Sequence, residues 1–88
     1  MKNIYEFYNL IGKNLKEIRT KFGDSQEKLA EKTDMSRGFI SQIESPGVDT
    51  GVSLDTLYNI SQEYNIDIRQ FFDGYEELMR DEKKEPNN

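Results

Sequence analysis

Eighty-eight residues, 34% apolar and 33% charged, suit one small domain with a modest core, because short chains bury a smaller share of their surface. The sequence holds no cysteine and no histidine, which excludes a disulfide framework, a thiolate metal site and the commonest general bases and transition-metal ligands. No apolar window could span a bilayer, the first ten residues lack the apolar stretch of a secretory signal, and the net charge is −5; a cytoplasmic location is expected.

Helical spacing dominates, and no run alternates with the period of two that a strand requires. Ile4, Tyr8, Ile11, Leu15, Ile18 and Phe22 step by four and three, predicting a first helix over about residues 3 to 22. Gly23 stands where a left-handed C-cap is wanted. Asp24 and Ser25 offer cap oxygens for a second helix over Gln26–Lys32, which turns Leu29 and Ala30 inward. Thr33, Asp34 and Met35 form a short turn. Ser36 caps a third helix to about Glu44, with Ile40 and Ile43 on its buried face. Ser45–Val52 reads as a loop from its Pro46-Gly47 pair and Gly51.

Ser53 caps a fourth helix carrying Leu54, Leu57 and Ile60. Asp67 with Gln70 three residues later resembles a capping box for a short fifth helix through Phe72. Gly74 breaks it, leaving room for one further helical turn (Tyr75, Leu78, Met79) before a charged Arg80–Asn88 tail whose composition predicts disorder. The expected fold is all-α: a compact five-helix bundle over residues 11–73, an N-terminal extension of the first helix over 1–10, and an acidic tail over 74–88.

Charge is unevenly spread along this plan. From Lys13 to Arg37, seven basic residues face five acidic ones; from Gly38 onward, four face eleven. Such a chain suits a polyanion on its N-terminal half and something else on the other.

Two short helices joined by a tight turn, the second capped and amphipathic, are the physical description of a helix-turn-helix. The run from Ser25 to Glu44 resembles the phage-repressor and Cro-like helix-turn-helix family. The resemblance continues upstream through Ile11–Arg19 and downstream through Ser53–Leu57 and Ile66-Asp67, covering about residues 11 to 72. It implies a transcriptional regulator that reads double-stranded DNA through its third helix. By position, Gln26 is implied to bind a phosphate, helped by the exposed amides of a helix N-terminus. Ser36 is implied to cap the recognition helix and touch phosphate. Arg37, Gly38 and Gln42 match base-reading positions, with Ser41 beside them; arginine pairs well with guanine and glutamine with adenine. Arg19 and Glu44 match an ion pair joining the first helix to the end of the third.

The chain departs from the family pattern after the third helix. Members commonly carry a short, basic Gly-Lys loop there, whereas Ser45–Val52 is longer and its only formal charge is Asp49. One backbone anchor is therefore missing or replaced by main-chain amides. Lys13, Lys28 and Lys32 are the supporting phosphate contacts expected from the basic half.

Each reading has a plainer rival. Gln26, Arg37 and Gln42 could be ordinary solvated side chains. Gly38 either lets the backbone approach DNA or marks a poor helix position, and Phe39 packs between helices or meets a thymine methyl. Ile4, Phe7 and Tyr8 of the extension either cap the core or meet a partner. Tyr64, Ile66, Ile68, Phe71, Phe72 and Tyr75 crowd the C-terminal half, which predicts a homodimer interface and an inverted-repeat operator; alternatively the phenylalanines close the monomer core. Neither an enzyme nor a cofactor is expected, since no nucleophile elbow, phosphate-binding loop or calcium-loop spacing occurs. No metal or small-molecule effector site can be assigned. The competing function is a protein-interaction module or antitoxin, favoured by the sequence pI near 4.7 and the uncharged loop.

Overall fold

The computed structural model describes residues 3–47 and 51–80, and no strand occurs among them. The helices are α1 (Ile4–Lys21), α2 (Gln26–Thr33), α3 (Arg37–Glu44), α4 (Leu54–Tyr64), a 3-10 helix (Ile68–Phe72) and α5 (Tyr75–Arg80). Serine hydroxyls start three of them. Ser25 accepts from the Lys28 N–H at 3.0 Å, Ser36 from Phe39 at 3.0 Å and Ser53 from Thr56 at 3.2 Å. Losing such a cap costs about 0.5–2 kcal/mol. Asp34 and Asn65 close α2 and α4 in the left-handed region, at φ 58° and 53°, where short polar side chains are best tolerated.

Ile11, Leu15 and Ile18 of α1 form the spine of the core, against Leu29, Ile40, Ile43, Leu57, Ile60 and Phe71. The ends of the expected stripe lie outside it: Ile4 and Phe22 are about half exposed. Phe22 instead stacks on the Tyr64 ring, with centroids 4.4 Å apart. Of the three apolar residues stepping along the fourth helix, Leu57 and Ile60 are buried, while Leu54 is 70% exposed. It is the first residue of α4, where no neighbouring element covers it.

Two α1 residues set how closely the other elements approach. Gly12 is buried, and a Cβ there would run into the carbonyl oxygen of Ile43 in α3. Asn14, also buried, donates from Nδ2 to the carbonyls of Phe71 at 2.7 Å and Asp73 at 3.0 Å. It thus satisfies carbonyls at the end of the 3-10 helix, which would otherwise lack partners.

The segment after Asn65 departs from expectation. It is a 3-10 helix rather than an α-helix, and Asp67 accepts from the Arg69 N–H at 2.9 Å, not from Gln70. The Gln70 N–H goes instead to the Asp67 carbonyl at 2.9 Å, the i to i+3 bond that defines the tighter turn. Beyond Gly74 (φ 92°) the expected turn is the helix α5. Phe7 stacks on Phe72 with centroids 6.0 Å apart and meets Tyr75 edge-on at 5.9 Å. The N-terminal extension and the start of the C-terminal tail therefore pack on one another, and Phe7 caps the core. The tail expected to be disordered falls mostly on 81–88, outside the described residues, as does Asp49.

Candidate nucleic-acid interface

Leu29 and Ala30 hold α2 to the core, while Ile40 and Ile43 do the same for α3. The turn is fixed by Asp34 and by the Met35 N–H bonding the Ala30 carbonyl at 2.9 Å. With its inner face buried, α3 turns Arg37, Gly38 and Gln42 to solvent. Neither Arg37 nor Gln42 has a side-chain partner among the described residues. Ser41 is half-buried, and its carbonyl accepts from the Ser45 hydroxyl at 2.7 Å. Phe39 packs against the core. Nothing lies within 4 Å of a Cβ built on Gly38, so no packing within the chain requires glycine there.

The far end of α3 is held by charge. Arg19 grips Glu44 through both Nε and Nη2 at 2.8 Å, and its Nη1 reaches the Asp24 carbonyl at 2.7 Å. Gln26 Nε2 donates to the same Glu44 carboxylate at 3.0 Å. One buried carboxylate thus fixes the N-terminus of α2 relative to the C-terminus of α3. The family resemblance implies the pairing of Arg19 with Glu44; the Gln26 bond leaves no local signature. One amide hydrogen of Gln26 is spent inside the protein, leaving the second N–H as its one side-chain donor; the carbonyl oxygen only accepts.

The lysines differ in how free they are. Lys13 pairs with Glu17 at 3.1 Å and Lys28 with Glu31 at 3.9 Å, both on exposed surface, where such pairs contribute little. Lys32 is committed. Its ammonium lies 2.7 Å from Asp24 and 5.7 Å from the Tyr64 ring centre, so the structure gives it a structural partner in place of an expected phosphate. Lys16, not singled out from sequence, is exposed with no acidic partner among the described residues. Its signal was the three-residue step from Lys13, which places both on one helix face.

Asp24, nearly buried, also accepts from the Tyr64 hydroxyl at 2.8 Å. The Lys32 ammonium first, and that hydroxyl second, hold its carboxyl below the usual range. Burial, reinforced by the Asp24 bond, pushes the Tyr64 hydroxyl well above its ordinary value, so it remains a donor. A carboxyl depressed in the folded state stabilises above its unfolded pKa, near about 3.9, and that contribution is lost as pH falls through the folded value. Acid titrations of stability should therefore be shallower below about pH 4 for Asp24→Asn than for the parent. Superimposable acid limbs would contradict the pair.

The expected dimer residues separate on inspection. Phe71 is fully buried and Tyr64 6% exposed; both belong to the monomer core and cannot meet a second copy. Ile66, Ile68 and Phe72 are half-buried, and Tyr75 is 46% exposed.

The fold agrees with what is known of other proteins. A helix-turn-helix domain model matches residues 12–77. The chain belongs to the phage-repressor and Cro-like helix-turn-helix family. The HTH-type transcriptional regulator ImmR of Bacillus subtilis is 40% identical over 58 residues, 61% of this chain and 46% of that protein. The crystal structure of an HTH_3 family transcriptional regulator from Vibrio cholerae superposes with a TM-score of 0.73 at 25% identity, over 96% of this chain and 46% of its own. The chain thus spans about half the length of each. Family membership is also what sets aside an enzymatic role. No helix among the described residues is long and apolar enough to cross a membrane.

Proposed function

We propose that this chain is a sequence-specific, DNA-binding transcriptional regulator of the cytoplasm that lays α3 in the major groove. The observation that carries the reading is the two-sidedness of α3. Ile40 and Ile43 are buried, and both ends are pinned, at Ser36 and at Glu44. Arg37 and Gln42 nevertheless stand exposed with no side-chain partner among the described residues. A rigid helix offering one guanidinium and one amide outward has the donor and acceptor chemistry that base edges read. Gln26 and Ser36, at the N-termini of α2 and α3, fit phosphate contacts, and Gly38 and Ser41 lie beside the reading face.

Selection of bound sequences from random DNA tests this directly. On the best site, Arg37→Ala or Gln42→Ala should cost about 1–3 kcal/mol and relax preference at particular bases. Gln26→Ala should weaken all sequences about equally. Folded variants that select the parent's motif unchanged would refute this reading face. A parent that retains no DNA at low salt would favour the protein-interaction alternative.

The working unit proposed is a homodimer joined through the C-terminal half, by Tyr75 with the outer faces of Ile66, Ile68 and Phe72. Two-fold pairing presents two recognition helices about one DNA turn apart, so the operator should be an inverted repeat with half-sites roughly 10 bp or a multiple apart. Sedimentation at micromolar concentration should give twice 10.3 kDa. A monomer that binds one half-site as tightly as two would end this model.

A further inference from the structure

We infer that Lys13 and Lys16 of α1 form a second grip on the DNA backbone, beside the C-terminal end of α3; the inference rests on the DNA-binding reading above. A groove of about 410 Å³ opens there between α1 and the start of the following loop, lined by Lys13, Lys16, Ile43, Ser45 and Pro46, with Glu17 and Glu44 also on its wall. Ile43 directly follows the base-facing Gln42, so the groove adjoins the end of the proposed reading helix.

The surroundings make the two lysines its working charge. The loop itself has none to offer, since Asp49 is the only formally charged residue from Ser45 to Val52. The amide of Gly47 is already used, donating to Asn9 Oδ1 at 3.0 Å, which ties the loop to α1 and removes one main-chain donor. Glu44 does not cancel the lysines: its side chain is 3% exposed and held in bidentate fashion by Arg19. Glu17 is the remaining acid among the described lining residues, but its side chain is 62% exposed and that of Lys13 68%, so the pair is readily exchanged for a phosphate. Lys16 has no acidic partner to leave among the described residues. The groove therefore presents one free and one loosely held ammonium on a single helix face, while Asn9 fixes α1 against the loop.

The test is the salt dependence of binding to the selected operator and to a labelled duplex of random sequence. A phosphate contact releases counterions, so its loss reduces the slope of log K against log salt by about one. Lys13→Gln and Lys16→Gln should each do so, and the double variant by about two, on both duplexes and with base preference unchanged. Lys16→Arg should keep the parent slope. Arg80→Gln, the same loss of charge placed on α5, should leave the slope where it is. Both lysines are exposed, so the variants should fold, as circular dichroism would check. Parent-like slopes in the double variant, while Arg37→Ala still relaxes selection, would overturn this grip and leave the DNA reading intact. An equal change from Arg80→Gln would also overturn it, by showing that net charge alone is at work. A parent slope near zero would remove both.

Discussion

Glu44→Ala is expected to lower folding stability by about 3–5 kcal/mol, the usual consequence of removing one partner from a buried ion pair. The loss comes less from attraction than from what is left behind. Arg19, 7% exposed, would keep its charge with only the Asp24 carbonyl at 2.7 Å as acceptor. Gln26 would lose its acceptor too. Since small domains are stable by only about 5–15 kcal/mol, the variant should sit close to its unfolding threshold. Urea denaturation should show a lower midpoint with an unchanged slope. Replacing both partners, as Arg19→Met with Glu44→Leu, should cost far less than Glu44→Ala, because apolar groups of similar volume leave no stranded charge. A single substitution costing under about 1 kcal/mol would mean that the pair is solvated and that something else orients α2 against α3.

That pair and the three serine caps were both named in advance, but for different reasons. Caps and apolar steps are local rules, so Ser25, Ser36 and Ser53 announce helix starts within a few residues. Arg19 and Glu44 are far apart in sequence, and only resemblance to a family linked them. Where neither source spoke, the reading fell short. Asn14 reads as an ordinary polar residue of an amphipathic helix, yet its partners are 57 and 59 residues away. Lys32 reads as a free cation because nothing local shows that α2 brings it to Asp24, eight residues back. Tyr64 and Phe71 were expected at a surface because apolar density does not say which aromatic the core can absorb. The candidate reading face was nameable, while the groove beside it depended on how α1 crosses α3.

That crossing rests on Gly12, and Gly12→Ala should cost about 3 kcal/mol or more, at or above the upper end for an inserted methyl. Most overpacked sites relax by moving a side chain, but here the obstacle is the Ile43 carbonyl, so α1 and α3 must separate as bodies. Separation would loosen contacts around Ile11, Leu15 and Ile40, all within the core. It would also displace the helix that carries Arg37 and Gln42, so binding to the selected operator should fall even in the fraction that remains folded. Gly38→Ala supplies the comparison. The chemical change is identical, but that glycine is exposed, with open space where the methyl would go. Relief of the helix penalty of glycine should then stabilise the fold by up to about 1 kcal/mol. Thermal melts of the two variants should therefore move in opposite directions, Gly12→Ala far down and Gly38→Ala level or slightly up. If Gly12→Ala melted with the parent, α1 and α3 could not lie as close as described, and the placement of the groove between them would fall as well.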